Sequence, residues 1–90
     1  MDRVRFITYH GKLILLIDLR NCSAAEVIDE MAEVQRIVTA QPRNSVLTLN
    51  DYTRAEFSRE AVTRMKEVAV LDRPYVKRAA IVGAESLPKV

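Results

Sequence analysis

Two aspartates stand where a sheet could use them for chemistry. Asp18 closes the apolar run Leu13-Ile14-Leu15-Leu16-Ile17, and Asp51, with Asn50 before it, closes Val46-Leu47-Thr48-Leu49. If both runs are parallel strands, these are the carboxyl ends at which open α/β sheets place their ligands. A pair of carboxylates there can hold Mg²⁺ or accept a phosphoryl group. Phosphoryl acceptance also needs an adjacent acidic pair and a later Ser or Thr and Lys at strand ends, and the sequence offers no such set. Capping of loop amides is therefore the favoured role for Asp18 and Asp51, with Asn50 beside them as a strand-end loop candidate.

Ser58 and Thr53 are the candidates for regulatory phosphorylation. A phosphate at a helix N-terminus meets free amides and the positive end of the helix dipole. Ser58 is also at the spacing of a plain N-cap, which explains it without any modification. His10 lies in a turn with no Cys or Asp at metal-ligand spacing, so a solvated side chain is expected. Cys22 precedes a helix start, a place that lowers a thiol pKa, but no second Cys or nearby His supports redox or nucleophilic work. Gly11 and Gly83 are the only glycines and lie far apart, so there is no phosphate-binding loop. No metal set and no cofactor motif is read from the chain.

The elements that would position these residues follow from hydrophobic spacing. Residues 3–9 place Val4 and Phe6 on one face and Arg3 and Arg5 on the other, the pattern of a half-exposed strand. Residues 13–17 are apolar without alternation, as in a strand covered on both faces. His10-Gly11-Lys12 turns between them, with Gly11 supplying the positive φ, which predicts an antiparallel hairpin. Ser23-Ala24-Ala25-Glu26 is a capping box. Val27, Met31, Val34 and Val38 then repeat at helical spacing, with acidic side chains toward the positive end of the dipole. The helix is expected over 24–40, stopped by Pro42.

Residues 46–49 form a short strand followed by the polar run Asn50-Asp51-Tyr52-Thr53. A second helix over 59–72 starts at Ser58, with Phe57 and Val62 placed as a hydrophobic staple and Ala61, Met65, Val68 and Ala69 as its buried stripe. Asp72-Arg73-Pro74 closes it, and residues 76–82 are the last strand. Right-handed crossovers join such units. The expected fold is an α/β domain with a four-stranded mixed sheet (β-β-α-β-α-β), the first strand antiparallel and the helices packed on the sheet.

Size and composition agree with one such domain. The 90 residues should bury close to two-thirds of their surface, leaving about 5,300 Å² exposed. An apolar fraction of 49% argues against disorder. The net charge of +2 is spread along the chain without a basic cluster or an aromatic ladder, so a nucleic-acid partner is disfavoured. The longest apolar run is far short of the roughly 20 residues of a membrane span. A single cysteine favours a reducing compartment, and the chain reads as cytoplasmic.

The strand Leu13–Asp18, the strand end Leu47-Thr48-Leu49-Asn50-Asp51 and the segment Pro74-Tyr75-Val76-Lys77-Arg78-Ala79-Ala80-Ile81-Val82-Gly83 carry a likeness. Over roughly residues 3–84 the chain resembles the STAS family, the domains typified by bacterial anti-sigma-factor antagonists. It is most similar to an uncharacterised branch grouped with CRAL-TRIO-like lipid carriers. Two features depart from the family pattern. The antagonists' phosphorylatable turn, rich in small residues, is replaced here by the stretch from Asn50 to Ser58. The family also continues through a further helix and strand, so the resemblance implies that a C-terminal helix and strand are missing from this chain.

The resemblance and the lack of a catalytic constellation imply a non-enzymatic regulatory or protein-interaction domain, acting around the second helix and the loop before it. The alternative is a carrier of an apolar or lipid-like small ligand held between sheet and helices. A metal-dependent enzyme using Asp18 and Asp51 ranks last. An apolar cavity lined by Ile17, Leu49, Met65 and Ile81 would mark the carrier. A close-packed core with an exposed apolar patch on the second helix would mark the interaction domain. The last strand is apolar at Ala79-Ala80-Ile81-Val82, with Lys77 and Arg78 guarding only its entrance, and residues 85–90 could form no more than a short lid. Such an edge invites a second copy, so a homodimer is expected.

Overall fold

A computed structural model describes residues 2–86. The elements run β1 (Val4–Tyr9), β2 (Lys12–Asp18), α1 (Ala24–Thr39), β3 (Val46–Asp51), α2 (Arg59–Asp72) and β4 (Val76–Val82), followed by one 3₁₀ turn, Ala84–Ser86. The strands lie side by side in the order β1-β2-β3-β4. β1 is antiparallel to β2, and β2–β3 and β3–β4 are parallel. This is the expected mixed sheet, with both helices at the positions their spacing predicts. Residues 87–90, part of the lid expected after β4, lie outside the described residues.

The local chemistry explains each boundary. The β1–β2 turn holds two residues, His10 at φ 49° and Gly11 at φ 75°. Two-residue hairpin turns that match strand twist need positive φ at both central positions, so His10 shares a burden the sequence assigned to Gly11 alone. α1 starts at Ser23 with both halves of its capping box made: Ser23 Oγ accepts from Glu26 N at 3.2 Å and Glu26 Oε1 accepts from Ser23 N at 2.9 Å. α2 starts at Ser58, whose Oγ accepts from Ala61 N at 3.0 Å. Beside it the Phe57 ring packs edge-on against Tyr52, centroids 5.5 Å apart.

β3 is two residues longer than its apolar run. Asn50 and Asp51 continue the ladder because they have partners on both sides, Ile17 and Asp18 in β2 and Ile81 and Val82 in β4. Polarity made these residues look like a loop; pairing with two neighbouring strands makes them a strand.

Both helices lie on one face of the sheet, packed against each other. The helix face carries the core: Val4, Leu15, Ile17, Val46 and Thr48 are buried beneath Val27, Met31, Val34 and Val38 of α1 and Ala61 and Val68 of α2. The opposite face differs from expectation. Ile7, Ile14, Leu16, Leu47 and Leu49 are all half-buried, while Leu15 between Ile14 and Leu16 is fully buried. The unbroken apolar run of β2 predicted cover on both faces, but among the described residues only one face is covered by helices.

At the end of β4 the chain passes close to the loop after β3. Tyr52 N donates to Val82 O at 2.9 Å. Gly83 follows at φ 70°, and a Cβ there would lie 2.5 Å from both the amide nitrogen and Oγ1 of Thr53. Gly11 also has positive φ but faces open space. Gly83→Ala should therefore cost on the order of 3 kcal/mol, from left-handed strain plus overpacking. Gly11→Ala should cost only about 1 kcal/mol. Urea unfolding of the two variants checks this, and equal losses would show that the contact at Thr53 is not tight.

Candidate functional site

Between the β3–β4 end of the sheet and α2 lies an apolar cleft of about 370 Å³. Its origin is the small side chain of Ala79 and the placing of α2. The helix leans on α1, and its stripe of Met65, Val68, Ala69 and Asp72 spans the gap over β4 without filling it. Ala69, expected in the buried stripe, is consequently exposed. Ile17, Val76 and Ile81 form the sheet side, and Met31, Val34 and Val38 of α1 close one end. Ile81, on the edge strand, is 52% exposed.

Few polar groups enter this lining. Asn50 donates from Nδ2 to Thr48 Oγ1 at 3.3 Å and to Ala80 O at 3.2 Å, so its amide is anchored to the sheet. Arg73 stands exposed at the mouth. Asp72 is the unusual member. It is only 5% exposed, and its Oδ1 is buried with no hydrogen-bond partner among the described residues. Burial pushes its carboxyl up from an ordinary value of 3.8 to about 6. Asp72 is also the last residue of α2, at the negative end of the helix dipole, where an acid is unfavourable. An uncompensated polar group in such a place costs stability, so its presence calls for a reason.

The residues singled out in the sequence lie elsewhere, with the exception of Asn50. Asp18 and Asp51 are register partners at the strand ends. Asp18 accepts from Arg20 N at 3.1 Å and from Arg20 Nε and Nη2, both at 2.9 Å. The Arg20 hydrogen bonds hold the Asp18 carboxyl below its usual range. Asp51 Oδ1 accepts from Thr53 N at 3.0 Å and Thr53 Oγ1 at 2.7 Å, and its Oδ2 lies 3.9 Å from Arg20 Nε. Both carboxylates thus hold their loops, and the Thr53 hydroxyl donates to one of them. Ser58 caps α2 from an exposed position and is not among the cleft's lining residues. Among the described residues no three His, Cys, Asp or Glu side chains gather as a set able to hold a metal ion.

Two other side chains fall outside any site. Cys22 is fully buried, and that burial pushes its thiol up, opposite to the activation that a helix start suggested. His10 packs edge-on against Tyr9, centroids 4.3 Å apart, in the exposed hairpin turn.

Asp72 was legible as an anomaly. It falls four residues after Val68 and seven after Met65, on the buried stripe, and it puts an acid at a helix C-terminus. The neighbouring Arg73 and Pro74 made it look like an ordinary helix stop. No family model, curated protein or solved structure matches the chain.

The buried carboxyl has a consequence for stability. Between pH 4 and 6 the folded state keeps a proton on Asp72 that the unfolded chain has released, so stability falls as pH rises through that window. Two pH units of displacement correspond to roughly 2–3 kcal/mol at most. Asp72→Asn removes this loss, so the variant should gain on the wild type steadily from pH 4 to 6.5 in urea unfolding. Glu30, also raised by burial, is present in both proteins and cancels in the difference. Parallel stability curves would show that the carboxyl is not held as described.

Proposed function

We propose that this domain is a non-enzymatic binding module that holds a small apolar ligand in the cleft between β4 and α2. The cleft itself carries the reading. An open cleft of about 370 Å³ with a mainly apolar lining falls within the size range of small-molecule sites. Ile17, Met65 and Ile81 line it, three of the four residues named as the mark of a carrier. Leu49 does not, since it pairs with Leu16 and Ala80 on the open face of the sheet. Met31 and Met65 suit the purpose, as flexible thioether side chains adapt to an occupant's shape.

The branch of the STAS-like resemblance that is grouped with lipid carriers supports this reading, whereas the resemblance as a whole implied an interaction domain. Among the described residues no helix is long and apolar enough to cross a membrane. A cytoplasmic carrier, as the lone cysteine suggests, is the form we favour.

The test is a neutral amphiphile of suitable length. Decanol added below the concentration at which it aggregates should raise Tm saturably, because a ligand bound only by the folded state stabilises it. Ala79→Phe places a ring in the cleft from the strand side; it should leave the domain folded and abolish the shift. An unsaturable response, or one that Ala79→Phe leaves intact, would defeat the cleft as the site.

Exposed apolar residues favour a second reading, a protein-interaction domain that pairs with its own copy. Ile81 and Val82 on the β4 edge are 52% and 45% exposed, and Val70 and Leu71 on α2 are 63% and 49% exposed. A bulge at Lys77, where Val46 pairs with Val76 but Leu47 with Arg78, protects only the start of this edge. Light scattering during size exclusion should give a dimer mass at micromolar concentration; a mass that stays at 10.2 kDa throughout removes this reading.

A further inference from the structure

We propose that the ligand of the cleft is an apolar amine, a compact hydrocarbon body carrying a protonated ammonium group that pairs with the Asp72 carboxylate. The inference rests on reading the cleft as a binding site and adds the chemistry of the ligand's polar end.

The geometry supplies both halves of that ligand. The walls contributed by Ile17, Met65, Val68 and Ile81 are hydrocarbon or thioether and recognise only shape and apolar surface. Against them stands Asp72, a buried residue on the lining of the same cleft, whose Oδ1 has no hydrogen-bond partner among the described residues. Few groups remedy a buried carboxylate. Water leaves it in an apolar surround, and a ligand alcohol gives one hydrogen bond without balancing the charge. A second carboxylate adds like-charge repulsion. An ammonium group supplies both the opposite charge and the donors, which makes it the complement of highest differential value.

Arg73 is the competing feature, since a guanidinium at the mouth attracts an anion instead. Its side chain is exposed, where water and salt screen it, whereas Asp72 lies inside the low-dielectric lining. The buried charge therefore decides the preference. At pH 7.5 an Asp72 carboxyl that titrates at about 6 is largely ionised, so it meets an ammonium ion without first losing a proton.

Size sets the length of the hydrocarbon. A dry apolar cavity of roughly 150 Å³ takes a benzene. In proportion, about 370 Å³ takes on the order of fifteen non-hydrogen atoms. Decylamine, decanol and decanoic acid fit within that size and share a ten-carbon skeleton while differing in head group.

The experiment is calorimetric titration of the full chain with each of the three at pH 7.5, below their aggregation concentrations. Amide shifts of Ala69 and Ala79 by NMR locate each bound molecule. Decylamine should bind tightest, decanol less and decanoic acid least. In Asp72→Asn the amine should weaken by roughly tenfold or more, as expected when one partner of a buried pair is removed, while decanol changes little and decanoic acid improves. The wild-type ranking needs no variant and stands even if Asp72→Asn folds poorly. If decanol or decanoic acid binds at least as well as the amine in the wild type, the head-group assignment fails while the cleft reading survives. The same holds if amine binding is indifferent to Asp72→Asn. If none of the three binds saturably, both fall.

Discussion

Both crossovers of this domain run the same way along the sheet. β2 leads through α1 to its neighbour β3, and β3 leads through α2 to its neighbour β4, always in parallel. Chain handedness then places both helices on one face. Two helices on one face must also pack on each other, and α1 and α2 do so closely. That contact settles the rest of the architecture. It buries Val27, Met31, Val34 and Val38 together with Ala61 and Val68, while β4 beneath α2 stays largely exposed.

An edge strand left in this way has two openings. On the helix side the missing packing becomes the cleft, floored by Ala79 and Ile81 and roofed by α2. On the other side the apolar face of the sheet continues, half-buried, through Ile14, Leu16, Leu47 and Leu49. The domain holds together despite this because its joints are well made. The capping box of α1, the cap of α2, the Arg20 clamp on Asp18 and the close approach of Gly83 to Thr53 fix the elements at their ends.

Asp72 belongs to the same logic. A helix that packed fully on β4 would leave no room for a carboxyl on its inner stripe. α2 instead ends beside the cleft, and its last residue puts an acid on the lining whose Oδ1 has no partner among the described residues. Such a group opposes folding at neutral pH, and its natural complement is something that arrives from outside. The strand-end aspartates show the contrast: Asp18 and Asp51 have partners within the loops they cap and are spent on structure.

Local rules were enough to place the four strands and the two α-helices. The period of Val27, Met31, Val34 and Val38, the capping serines at 23 and 58, Pro42 and Pro74, and the apolar runs at 13–17 and 76–82 each act within a few residues of chain. Parallel pairing followed from the strand–helix–strand order. Residues whose roles depend on neighbours far along the chain were beyond such rules. Asn50 and Asp51 became strand only because β2 and β4 flank them, and the uncovered second face of β2 could not be seen in an apolar run that lacks alternation. The cleft depends on how far α2 leans toward α1, a packing distance that no pattern encodes, and it put Asp72, an apparent helix stop, on the lining of that cleft. Periodicity reports which side of an element is apolar; only tertiary packing decides what fills the space beside it.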